Sequence, residues 1–201
     1  MSKYIVGITG ASGSIYGIRL VEELLLRNHE VFLIITNAGK QVIEHEIGLV
    51  LSGDSSAVES KIKSYLQNRT RTDKLQYFDV HNIGALIASG SVKTKGMIIA
   101  PCTMSAVSAI AHGASTDLLE RAADVVLKEK RQLIIVPREA PLSAIHLQNL
   151  LTLSHIGVHI LPPMPAFYFK PQSIDDLINY TVGRILDLLG IDHELFARWQ
   201  G

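Results

Sequence analysis

Several stretches of this chain carry side chains and backbone amides suited to holding phosphate. The first is Thr9-Gly10-Ala11-Ser12-Gly13-Ser14-Ile15-Tyr16-Gly17, which follows a short apolar run and opens a helical one. Small residues there let amides approach phosphate oxygens, and a helix N-terminus favours negative charge. The loop does not match the dinucleotide fingerprint, because its last glycine falls one position late for Thr-Gly-x-x-Gly-x-x-Gly. Thr36-Asn37 also stands where a binder of adenosine ribose places an Asp or Glu. The Tyr-x-x-x-Lys pair of short-chain dehydrogenases does not occur in the sequence. A mononucleotide is the expected ligand.

Cationic groups supply a second source of phosphate recognition. Arg121, Asp124 and Lys128 recur at spacings of three and four, so they share one helical face. Arg138-Glu139 follows an apolar run, and Arg184 lies on a late helix. Planar guanidinium forks match phosphate oxygens. Pro162-Pro163-Met164-Pro165-Ala166-Phe167-Tyr168-Phe169-Lys170 combines prolines with aromatics. Such a segment packs on a neighbouring subunit, lines an apolar substrate site, or does both. Trp199, the lone tryptophan, offers a π face that stabilises positive charge or an anchor for the C-terminus. Cys102 has no His or Asp in a recognisable relation to it and reads as a small core residue. His155 and His159 are separated by Gly157, so no metal is expected.

The elements that must position these groups alternate along the chain. Nearly continuous apolar runs at Tyr4–Thr9, Val31–Thr36, Ala85–Ser89, Met97–Ala100, Leu133–Val136 and His159–Leu161 read as strands of a parallel sheet covered on both faces. Helical periodicity occupies Ser14–Arg27, Asp117–Lys130, Leu142–His155 and Ile174–Leu189, with a surface helix over Ala57–Asn68. The expected fold class is α/β, an open doubly wound parallel sheet of the Rossmann or flavodoxin-like kind, in a single domain over residues 1–201. In such sheets ligands bind beyond the carboxyl ends of the strands.

Composition excludes other classes. The 201 residues carry 19 Lys+Arg against 19 Asp+Glu, so no bulk positive potential draws the chain to nucleic acid or anionic lipid. No apolar run reaches the ~18 residues that cross a bilayer, and the N-terminal apolar run is too short for a signal-peptide core. One cysteine fits a reducing, cytoplasmic setting.

Taken together, Gly10-Ala11-Ser12-Gly13 with Tyr16-Gly17, Ala88-Ser89-Gly90-Ser91, Pro101-Cys102-Thr103-Met104, Arg121-Ala122-Ala123-Asp124-Val125, Val136-Pro137-Arg138-Glu139, His146-Leu147 and Pro162-Pro163-Met164-Pro165-Ala166-Phe167-Tyr168 resemble the flavin prenyltransferases of the UbiX family, in colinear order over essentially the whole chain. The resemblance implies a Rossmann-like FMN-binding domain assembled into a homo-oligomer, typically a dodecamer, with sites between subunits. It implies transfer of a dimethylallyl group from dimethylallyl monophosphate to N5 and C6 of reduced FMN. The prenylated FMN would pass to a UbiD-type decarboxylase. By the same resemblance Gly10, Ala11, Ser12, Thr36, Thr103, Met104, Ser105, Ala106 and Arg121 would contact FMN. Ser89, Gly90, Lys128, Arg138, Tyr168 and Arg184 would hold the prenyl phosphate. Ser12, Glu46, Glu139 and Trp199 would act in catalysis, and no metal would take part. Two departures stand out: Thr36 replaces a common Ser, and Ala106 replaces a Thr, so that hydroxyl is missing here. A related FMN-dependent cysteine decarboxylase would carry Pro-Ala-Ser-Ala-Asn-Thr where this chain has Pro-Cys-Thr-Met-Ser-Ala. A non-catalytic flavin-binding or delivery subunit is the alternative of a different class.

Overall fold

The computed structural model describes residues 1–199. The chain alternates β1 (Lys3–Ile8), α1 (Ser14–Leu26), β2 (Glu30–Ile35), α2 (Asn37–Ile47), α3 (Ser55–Leu66), β3 (Leu75–Asp79), β4 (Gly96–Cys102), α4 (Met104–Ala111), α5 (Leu118–Lys128), β5 (Gln132–Pro137), α6 (Ala144–His155), β6 (His159–Ile160) and α7 (Ile174–Leu188). All pairings between strands are parallel, in the order β3-β2-β1-β4-β5-β6. The chain leaves β1 toward β2 and β3, then returns to the other side at β4. The β1/β4 boundary is therefore the topological switch point, where the crevice for a ligand opens at the carboxyl edge.

The central strands are apolar on both faces because both faces are covered. One face packs Val6, Ile8, Leu33 and Ile35 under α1, α3 and α7 through Ile18, Val21, Leu24, Ile62 and Ile185. The opposite face packs Ile5, Ile34, Ile99 and Ile135 under α4, α5 and α6 through Val107, Leu119, Val126 and Leu153. Each such fully buried Leu, Ile or Val contributes about 1.5–3 kcal/mol relative to exposure. At the switch point α1 lies directly on the sheet. A Cβ at Gly17 would sit 2.2 Å from the Ala100 carbonyl oxygen, so this close approach requires glycine.

One expected strand is corrected. Ala85–Ser89 is not extended: Leu86–Ala88 forms a short 3₁₀ turn in the connection from β3 to β4. The third strand is Leu75–Asp79, an edge strand whose alternating burial disguises it. The apolar run at 85–88 is too short to close a ladder and leaves Leu86 exposed. Helices α2 and α4, which hydropathy alone did not reveal, follow β2 and β4.

Candidate active site

Three neighbouring strands, β2, β1 and β4, each hand the chain to a helix at the carboxyl edge. Helix α2 is capped by Thr36, whose Oγ1 accepts the Gly39 N–H at 3.0 Å. Helix α4 is capped by Thr103, whose Oγ1 accepts the Ala106 N–H at 3.2 Å. Each hydroxyl satisfies one first-turn amide and leaves the others for a ligand. Helix α1 is different. Its N-terminal amides are taken by the Glu46 carboxylate, which accepts the Gly13 N–H at 3.0 Å, the Ser14 N–H at 2.9 Å and the Ser14 hydroxyl at 2.8 Å. In the glycine loop, whose position after a strand suggests a phosphate cradle, the Gly13 and Ser14 amides are thus taken by the chain's own anion. The first turns of α2 and α4 open onto the same edge.

Partial burial disfavours charge on Glu46. Hydrogen bonds from the Ser12 and Ser14 hydroxyls and from the Gly13 and Ser14 amides outweigh it and hold the carboxyl below its ordinary value. The charged group lies where the positive end of α1 also favours it. Beneath it, Thr9 stitches the two walls of the crevice. Its buried hydroxyl donates to the Pro101 carbonyl at 2.8 Å and accepts the Thr103 N–H at 2.8 Å. Sequence reasoning did not single out Thr9; the signal was a hydroxyl ending an otherwise apolar strand.

Arg138 and Glu139 lie at the same edge just past β5, whose end is tied to β4 by the Arg138 N–H donating to the Cys102 carbonyl at 3.2 Å. Both side chains are exposed. Cys102 itself is fully buried, which pushes its thiol up to about 12 and removes it as a nucleophile. Arg121, one turn into α5, donates to Asp124 at 3.0 Å, as the shared helical face required. Among the described residues, no group of three or more His, Cys, Asp or Glu is placed to hold a metal.

Ser89, Gly90 and Lys128 form a separate group at the opposite edge. Arg131, between α5 and β5, donates to the carbonyls of Gly90 and Val92, each at 2.7 Å, and Lys95 N–H donates to the carbonyl of Lys3 at the start of β1. Lys128 pairs with Glu129 at 3.3 Å. With its strand gone, Ser89-Gly90 belongs to the amino edge of the sheet. Lys128 is seven residues along α5 from Arg121, about 10 Å of helix rise.

Tyr168, Arg184 and Trp199 make a third group. Tyr168 meets Trp199 edge to face at 5.7 Å between ring centroids. Arg184 borders a cavity of about 350 Å³ between β6, the proline segment and α7, whose apolar walls include Ile160, Leu161, Pro162, Met164 and Leu188. The structure therefore unites Ser12, Thr36, Glu46, the Thr103–Ala106 turn and Arg138-Glu139 at one edge. It leaves Ser89, Gly90 and Lys128 at the other.

The residues present fit FMN. Two helix N-termini with hydroxyl caps offer amides for its phosphate, small residues floor the crevice, and Arg138 adds positive charge at the rim.

Comparison with known proteins agrees with this geometry. A family model described as Flavoprotein matches residues 1–186. Flavin prenyltransferase UbiX of Alkalihalophilus pseudofirmus is 51% identical over 194 residues, covering 96% of this chain and 94% of that relative. This chain belongs to the flavin prenyltransferase family. Solved structures carry the same relation. The dodecameric FMN-dependent UbiX-like decarboxylase from Escherichia coli O157:H7 superposes with a TM-score of 0.85 at 40% identity, covering 99% of this chain and all of that one. AnUbiX (PadA1) in complex with FMN and dimethylallyl pyrophosphate superposes with a TM-score of 0.86 at 38% identity, covering 100% of this chain and 98% of that one. Membership in the flavin prenyltransferases accounts for a crevice built for one nucleotide, without an acid at the end of β2.

Proposed function

We propose that this chain is a flavin prenyltransferase that joins the dimethylallyl group of dimethylallyl monophosphate to N5 and C6 of reduced FMN. The observation that carries this reading is the carboxyl-edge crevice. Its phosphate donors are the first turns of α2 and α4, and Ser12, Glu46, Arg138 and Glu139 stand at its rim, in a chain of this family.

Reduced FMN supplies the nucleophilic positions that receive the dimethylallyl group. The chain's own residues deal with the charges that appear when the allylic C–O bond breaks: the electron pair leaves with phosphate, and the allyl fragment becomes cationic. Arg138, Arg184 and Lys128 hold the departing phosphate, and fixed cations at that position cost no reorganisation during the reaction. Tyr168, Trp199 and the proline segment exclude water from the cation and face it with π electrons. The Ser12 hydroxyl, beside Glu46, would meet the proton at N5. Closing the second bond at C6 would need a proton delivered to the middle carbon of the remaining alkene and one removed from C6, and Glu139 and the departing phosphate would be the groups that supply and accept these protons.

Because Ser89, Gly90 and Lys128 lie at the amino edge, a second copy must bring them to the crevice. A homo-oligomer with sites between subunits, a dodecamer as in the E. coli relative, meets that requirement. The product would be consumed by a UbiD-type decarboxylase in the cytoplasm; the lone, buried thiol supports a reducing compartment.

The test is direct. Reduced FMN and dimethylallyl monophosphate, incubated anaerobically with the protein, should give a flavin heavier by the dimethylallyl unit. Failure to detect that mass, with FMN binding intact, would leave a flavin-delivery subunit as the reading.

A further inference from the structure

The described residues after α7, 189–199, form a strap that folds back over that helix and carries Trp199. The strap is held by Arg27 Nε, which donates to the Asp192 carbonyl at 2.9 Å, and by one carboxylate that gathers three donors. Asp187, in the last turn of α7, accepts from three donors: Arg184 Nη1 at 2.9 Å, Arg198 Nη2 at 2.7 Å and His193 Nε2 at 3.1 Å. His193 is fully buried by its side chain. Its Nδ1 accepts the Leu195 N–H at 3.2 Å, which fixes the ring proton on Nε2, facing Asp187. The strap reaches its seat because Gly183 is bare. A Cβ there would stand 2.6 Å from the Phe196 ring and 2.7 Å from the His193 ring. Phe196 then packs on Tyr180 at 4.9 Å, and Trp199 reaches Tyr168.

We propose that Asp187 is a positioning residue for prenyl transfer: it locks the C-terminal strap onto α7, and so sets Arg184 and Trp199 together around the dimethylallyl phosphate. This rests on the prenyl-transfer reading above. The carboxylate engages one of the five N–H donors of Arg184, leaving the remainder of the fork for phosphate oxygens. The same carboxylate fixes Arg198, the residue next to Trp199. One group thus couples the cation that receives the leaving phosphate to the aromatic face that meets the allyl fragment. Burial opposes the charge on Asp187, but the Arg198 and His193 hydrogen bonds prevail and keep its carboxyl below the ordinary range.

Two variants disturb the lock by different routes. Asp187→Asn keeps the volume and removes the charge. Gly183→Ala leaves every charge in place and lifts the strap, while alanine favours the helix itself. Each should raise KM for dimethylallyl monophosphate about tenfold, the size of one lost charge-assisted hydrogen bond, with FMN affinity unchanged and kcat lowered less. Because the chain has one tryptophan, time-resolved fluorescence anisotropy of the FMN-free protein reports strap motion directly, and both variants should show a faster, larger decay. Wild-type KM and anisotropy in Gly183→Ala and in any folded Asp187→Asn protein would overturn the assignment. So would a lowered KM, which would mean that the carboxylate competes with phosphate for Arg184. If the wild type forms no prenylated flavin, the prenyl-transfer reading falls and this assignment with it. Wild-type turnover with unaffected variants overturns the role of Asp187 alone.

Discussion

Glu46 is structural as the anion at the N-terminus of α1, and chemical in the proposed reaction. Its ordinary pKa is 4.5, and the donors around it depress that value in the folded protein. A depressed folded pKa means that the stabilisation is fully present above about pH 4.5 and disappears as pH falls through the lower folded value. Glu46→Gln should therefore lower the melting temperature at pH 7, and the gap from wild type should narrow as pH falls below 4.5. Scans at the two pH values check this, and an unchanged gap would remove the carboxylate from the account of α1. Glu139 lies at the opposite extreme: it is exposed and bonded only to the Ala140 N–H at 3.0 Å, with no structural role to lose. Glu139→Gln should leave FMN binding and melting intact. Turnover should fall about 10²–10⁴-fold if Glu139 is the proton acceptor. A smaller fall would leave that task to the phosphate.

At the scale of elements, the crevice depends on strands ending in register and on the stitch between their loops. Thr9→Val preserves shape but removes the hydroxyl that serves both the Pro101 carbonyl and the Thr103 N–H. Leaving a buried amide unpaired costs about 1–3 kcal/mol. Urea unfolding should show a loss of that size, and FMN affinity should fall with it as the α1 and α4 turns separate. Much of this layer was legible beforehand. The runs at Tyr4–Thr9, Val31–Thr36 and Leu133–Val136 are buried on both faces and read as strands without ambiguity, as did α1 and α7 by their helical stripe. Where the reading failed, local signals were weak or misleading. Leu75–Asp79 is an edge strand with Gln76 exposed, so it lacks the continuous apolar run of its neighbours. Ala85–Ser89 has that run and no partner. Helix α4 begins among Thr, Ser and Ala, which read as loop, and is fixed by its threonine cap and its contacts with α6 rather than by periodicity. The site suffered from the same limit. Glu46 was named by resemblance, but nothing in the sequence shows that it fills the amides 33 residues earlier, nor that Asp187 gathers two arginines and a histidine.

At the scale of the whole molecule, a balanced net charge hides an asymmetry between the two edges of one sheet. The carboxyl edge of each chain carries Ser12, Arg138 and Glu139, and the amino edge carries Ser89, Gly90 and Lys128. These sets cannot meet within a chain, because the strands that separate them are the rigid core. In a closed assembly the carboxyl edge of one copy can face the amino edge of another, a heterologous contact that symmetry repeats at every site. That arrangement makes a specific demand on mixed oligomers. Ser12→Ala and Lys128→Ala should each be nearly inactive alone. Co-expressed in equal amounts, they should form assemblies in which about a quarter of the sites draw Ser12 from one chain and Lys128 from another, both intact, if subunits assort at random. Activity near a quarter of wild type would then appear where neither parent has any. If both residues served a site within the same chain, every site in the mixture would carry one defect and no activity would return. Measuring prenylated flavin from the co-expressed protein, with mass spectrometry confirming both chains, therefore decides whether the site is shared between copies.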